Sequence, residues 1–125
     1  MMYVVGNLKM NMLSREEALQ YIAVLKREIK DRRYTAVKSI LCPPFLYLSD
    51  FVHLPASVES GAQSVFWEKS GAYTGEISPL MLKNAGVTAV IIGHSERRAI
   101  LGETNEIVKK KISAALKNLL IPIVC

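Results

Sequence analysis

The chain has 125 residues, half of them hydrophobic, and a formal charge of +5. That length and apolar content suit a single domain with a real core, and they exclude a disordered or disulfide-stapled chain. No apolar stretch reaches the roughly 18 residues of a membrane span, and the basic residues are scattered, without the clustered stripe and interleaved aromatics that nucleic acid binding asks for.

Met1-Met2-Tyr3-Val4-Val5-Gly6 carries no basic leader and too short an apolar run for a secretory signal, so a cytoplasmic address is expected. A first strand is predicted over Tyr3–Val5. Ser14-Arg15-Glu16-Glu17 reads as a capping box, with Glu17 reaching back toward the start of a helix. Behind it Ala18, Leu19, Ile22, Leu25 and Ile29 form the buried stripe, leaving Lys26, Arg27 and Lys30 toward water. A second strand is predicted over Val37–Cys42, ended by Pro43-Pro44 and followed by a short helix over Phe45–Val52. Val58–Ala62 is a third strand, and a long loop runs from Ser64 to Ile77.

Ser78-Pro79 pairs a capping serine with proline at the first helical position, and Gly86 supplies the stop. Ala89–Ile92 is a fourth strand. Thr104 caps a fourth helix whose buried stripe is Ile107, Val108, Ile112, Ala115 and Leu116, with Lys109-Lys110-Lys111 as its solvated face. A fifth strand covers Ile121–Cys125. Cys42 and Cys125 each end an apolar run; both are expected to be reduced, and no metal spacing involves them.

The strands read as nearly continuous apolar runs, the pattern of parallel strands covered on both faces. Strand and helix alternate without a linker, so residues 1–125 form one α/β domain with a parallel sheet. Strands one and five would each present unpaired backbone groups, and a sheet with two open edges calls for something to complete it.

Three segments carry the chemistry. Ala89-Val90-Ile91-Ile92 empties through Gly93 into His94-Ser95-Glu96-Arg97-Arg98, which places an imidazole, a hydroxyl, a carboxylate and two guanidiniums at the carboxyl end of a strand. Gly6-Asn7-Leu8-Lys9-Met10-Asn11 follows strand one, and Gly71-Ala72-Tyr73-Thr74-Gly75-Glu76-Ile77-Ser78 lies in the long loop. Taken in chain order, the segments resemble the triosephosphate isomerase family. That fold typically takes about 250 residues, so the resemblance implies a partial (βα)8 barrel: an N-terminal half through strand five.

The resemblance implies an enzyme of glycolysis and gluconeogenesis. It interconverts dihydroxyacetone phosphate and glyceraldehyde 3-phosphate through an enediolate, needing no cofactor or metal. This family is itself the standard worked case of a glutamate base beside a neutral histidine electrophile. His94 matches the electrophile, Lys9 the cation near the carbonyl oxygen and phosphate, and Asn7 a donor to the substrate oxygen. Glu96 and Ser95 match their supporting neighbours. Thr74 would support a neighbouring subunit's site, and Glu76 and Arg97 would pair across the interface, with Phe66, Trp67 and Tyr73 burying aromatic surface there or packing on themselves. Gln63 and Glu103 match structural positions. Leu8 stands where tryptophan is common.

The glutamate base, the closing lid and the glycine-rich phosphate loops of that family belong to strands six to eight. The expectation is therefore a half-enzyme, nearly inactive alone, whose partners are a triose phosphate, a complementary C-terminal half chain and a homo-oligomer. Two other readings remain: a non-catalytic half-barrel that self-associates through its edges, and a phosphate-binding protein without turnover.

Overall fold

A computed structural model describes residues 2–29 and 37–125; Met1 and Lys30 lie outside them. Five strands form one parallel sheet in chain order: β1 (Met2–Asn7), β2 (Val37–Cys42), β3 (Val58–Ala62), β4 (Ala89–Ile92) and β5 (Ile121–Val124). Each pairs only with its sequence neighbours, Met2 opposite Val37 through Asn7 opposite Cys42 at one end and Ala89 opposite Ile121 at the other. The sheet curls into half of a (βα)8 barrel.

Alternation along the strands divides the core. Ile40, Cys42, Ala89 and Ile91 form one cluster with Ile123 on one face. Ala62, Val90 and Ile92 meet Leu82, Val108, Ala115 and Leu120 on the other, under the helices. Close packing on the first face requires glycine at position 61. A Cβ there would lie 2.5 Å from Cys42 Sγ and 2.8 Å from Ile40 Cγ2. Gly61→Ala is expected to lower unfolding stability by about 1–3 kcal/mol, read as a lower urea midpoint; an unchanged midpoint would show that the sheet opens freely there.

The two edge strands depart from the expectation of cover on both faces. β4 is buried throughout, whereas Met2, Tyr3, Val4 and Val5 on β1, and Ile121 and Val124 on β5, are exposed. Among the described residues these strands have a hydrogen-bonded neighbour on one side only, which leaves their outer sides open.

Helix α1 (Arg15–Ile29) starts as the capping serine directs, with Glu17 N donating to Ser14 Oγ at 3.2 Å. Glu17 reaches one residue further back than a capping box requires, accepting from Leu13 N at 2.8 Å. Its buried positions are Ala18 and Ile22; Leu19 is exposed, so the stripe is narrower than its apolar sequence. Phe45–Tyr47 forms a 3₁₀ turn that leads into α2 (Leu48–Phe51). Helix α3 (Pro79–Asn84) is capped by Ser78, which accepts from Met81 N at 3.1 Å.

Between β4 and the expected fourth helix lies a separate one. Helix α4 (Ser95–Leu101) ends at Gly102 with φ +67, and α5 (Asn105–Lys117) begins after Thr104. In α5 the buried stripe runs through Val108, Lys111, Ala114 and Ala115, while Leu116 is exposed. Lys111 is thus no part of a solvated face. Its ammonium, 3% exposed, donates to Glu103 and to Ser64 Oγ, the latter at 3.0 Å.

Candidate active site

The carboxyl ends of β1 and β4 deliver Asn7, Lys9, His94 and Glu96 to one cavity of about 340 Å³, which Gln63 and Arg97 also line. That volume falls in the range of small-molecule sites, roughly 300–1,000 Å³.

Lys9 does not reach the cavity by strand alternation, because β1 stops at Asn7. It sits in the left-handed region at φ +52, where a lysine is uncommon and needs outside support. Its neighbours supply that support. Asn7 Oδ1 accepts from Lys9 N at 3.0 Å, and Gln63 Nε2 donates to Lys9 O at 2.8 Å and to Cys42 O at 2.9 Å. Asn7 therefore commits its carbonyl oxygen to the turn and keeps its amide hydrogens for other acceptors. The Lys9 ammonium lies 2.6 Å from Glu96 Oε1, with both side chains about half exposed. An ion pair that open contributes little to stability, so a ligand anion can take over the ammonium at small cost.

His94 stands at the junction of β4 and α4, the N-cap of the helix. The turn needs Gly93, whose φ is +74 and whose added Cβ would meet Val108 Cγ2 at 3.0 Å and Arg98 Nη2 at 3.2 Å. Arg98 Nε clamps the Gly93 carbonyl at 2.9 Å, and Arg98 Nη1 continues to Asn105 Oδ1 at 2.9 Å. His94 Nδ1 accepts from Glu96 N at 3.2 Å. A nitrogen that accepts carries no proton, so the neutral ring bears its hydrogen on Nε2 and can offer it to a ligand oxygen.

The other predicted site residues are placed as follows. Ser95 opens α4 but is exposed and does not line the cavity. Arg97 lines it, as well as an adjoining cavity of about 250 Å³ that Glu76 also borders. Within the chain, however, Arg97 Nε pairs with Glu103 Oε1 at 2.5 Å. Thr74 is exposed in the long loop. Phe66 stacks on Trp67 at 4.0 Å and meets Tyr73 at 4.7 Å, so these aromatics pack on one another in this chain. Cys42 is buried, which pushes its thiol up to about 12 and makes it a poor nucleophile. Among the described residues no group of three or more His, Cys, Asp or Glu is placed to hold a metal ion, and no helix is long and apolar enough to cross a membrane.

The family model for triosephosphate isomerase matches residues 2–125. The chain belongs to the triosephosphate isomerase family. It is similar to the triosephosphate isomerase of Thermoanaerobacter pseudethanolicus, 47% identical over 98% of this chain and 48% of that protein. The corresponding protein of Natranaerobius thermophilus is 47% identical over 98% of this chain and 47% of its own length. That of Dictyoglomus thermophilum is 52% identical over 74% of this chain and 38% of its own length. The chain spans about half the length of the curated relatives it matches.

Glu96 at the site and three carboxylates elsewhere in the chain share one electrostatic bias. A hydrogen bond from Lys9, aided by the Lys9 charge, holds the Glu96 carboxyl below the usual range against a contrary push from desolvation. Lys38 acts likewise on Glu59, which also accepts from Thr88, and Arg15 acts on Asp50. For Glu103 the largest single effect is burial, which raises it, but Lys111 and Arg97 together outweigh burial and lower it. Carboxyls lowered on folding stabilise the native state above their unfolded pKa of about 4, and the benefit disappears as pH falls through the folded values. The thermal midpoint is thus expected to hold between about pH 7 and 5.5 and to drop below about pH 4.5. A midpoint that rose on acidification would contradict this.

Proposed function

We propose that this chain is the N-terminal half of a triosephosphate isomerase and supplies the electrophilic side of its active site. The reaction interconverts dihydroxyacetone phosphate and glyceraldehyde 3-phosphate, moving a proton between adjacent carbons while negative charge builds on an enediolate oxygen. A donor already aimed at that oxygen is what such a transition state rewards. In this reading His94 Nε2–H faces the developing oxyanion, Lys9 neutralises the oxyanion and phosphate, and Asn7 donates its amide hydrogen. Glu96 and Ser95 support this trio, with Glu96 holding Lys9 in place until substrate arrives. Thr74, Glu76 and Arg97 meet a neighbouring subunit. The setting is the cytoplasm, and no cofactor takes part.

The observation that supports this most directly is the convergence of Lys9 and His94 on one cavity from two different strand ends. A carboxylate base and phosphate-binding loops come from a second polypeptide segment matching the remaining half of the relatives. Alone, the chain is expected to turn over at least about 10²-fold more slowly than a complemented assembly, since a catalytic base typically contributes about 10²–10⁴-fold. The test is to mix it with a C-terminal half from one of the relatives and assay isomerisation. If the mixture gains nothing over either part, while both are folded and bound to each other, the reading fails.

A second reading has its own support. The exposed apolar residues of β1 suit a half-barrel that associates with itself and does no chemistry. A stable homo-oligomer that refuses the complementing half would favour it.

A further inference from the structure

A second, larger cleft lies between α5 and the start of the long loop, and it shares no residue with the His94 cavity. Its volume is about 670 Å³. Glu106, Lys109, Lys110, Ser113 and Lys117 bring it one face of α5 at helical spacing. Trp67, Glu68 and Lys69 form the facing wall. Among the described residues, those that line it lie between Trp67 and Asn118.

The lysine charge in this cleft is not taken up by any ion pair: four lysines face two glutamates, and among the described residues none of those lysines is so paired. Phe66 stacks on Trp67 and fixes its plane, while the Lys110 ammonium lies 5.2 Å from the Trp67 centroid for want of a better partner. Such a contact is weak at an exposed site, on the order of 0.5–1 kcal/mol, so an anion can draw the ammonium away. A planar ring can then rest against the indole. Positive charge, an aromatic wall and room for a small molecule together specify a ligand that is anionic at one end and flat at the other.

We propose that this cleft binds a nucleoside polyphosphate, with its base against Trp67 and its phosphates among Lys109, Lys110 and Lys117. Glu68 and Glu106 are acceptors for the sugar hydroxyls, which keeps them clear of the phosphates. The site is independent of the isomerase reading, because it uses none of Asn7, Lys9 or His94.

Trp67 is the only tryptophan in the chain, so its fluorescence reports this cleft alone. Titrating the chain with ATP is expected to quench it saturably, with adenosine and inorganic triphosphate each binding much more weakly. Lys117→Glu, on the exposed side of α5, is expected to weaken ATP by about tenfold, the scale of one charge-assisted contact. Lys9→Ala is expected to leave the affinity unchanged. The proposal is overturned by an absence of saturable quenching at millimolar ATP, by equal affinity for inorganic triphosphate, or by a response that Lys9→Ala abolishes.

Discussion

In a complemented assembly, His94→Ala is expected to lower kcat about 10²–10³-fold, the cost of losing one preorganised donor to a developing oxyanion. The expectation rests on the hydrogen bond that His94 Nδ1 accepts from Glu96 N. That bond fixes the ring's orientation and leaves Nε2–H as the donor. The ground-state carbonyl needs this donor less than the enediolate does, so kcat should fall much more than KM changes. His94→Gln, which keeps a donor on a flexible arm, should recover part of the loss. Equal damage to kcat and to the urea midpoint would mean that His94 only holds the β4–α4 turn together.

Glu103→Ala is expected to cost about 3–5 kcal/mol of stability, the usual effect of stripping the partner from a buried charge. Lys111 is 3% exposed, and it and Arg97 both donate to Glu103 Oε1. Alanine would leave an ammonium with Ser64 as its remaining hydrogen-bond partner. Against a typical total of about 5–15 kcal/mol, that loss threatens folding at ambient temperature. Urea unfolding reads it, and the double variant Glu103→Leu/Lys111→Met should recover most of the loss, because an apolar pair of similar size needs no compensating charge. If the single variant matched the parent to within about 0.5 kcal/mol, the scale of an ordinary surface change, Lys111 would have to reach water unaided.

The sequence revealed most where apolar runs end in turn residues. The first, second and fourth strands were legible as apolar runs closed by glycine or proline, the third and fifth from their place in the strand–helix alternation, and the chain-order pairing follows from neighbouring elements packing together. Helix starts at Ser14, Ser78 and Thr104 were legible for a local reason, since a capping hydroxyl and its amide are three residues apart. What escaped depended on distant partners. Lys111 looked like one of three equivalent lysines, and its burial is decided by Glu103 eight positions before it and Ser64 forty-seven before it. Leu19 and Leu116 fit the helical period yet face outward, because neighbours decide which side of an apolar band is covered. The left-handed turn at Lys9 is only half legible in Asn-Leu-Lys: Asn7 Oδ1 takes the Lys9 amide locally, but the Lys9 carbonyl is held by the distant Gln63. The same residue types at the site were legible as a group because they sit at two strand ends, while their convergence is a property of the curled sheet.

A structure of the complemented assembly with a phosphorylated hydroxamate, an enediolate mimic, tests the whole account most directly. His94 Nε2 and Lys9 Nζ should both lie within about 3.2 Å of the mimic's oxygens, the reach of a hydrogen bond. A mimic bound with the imidazole and the ammonium turned to different regions would contradict it.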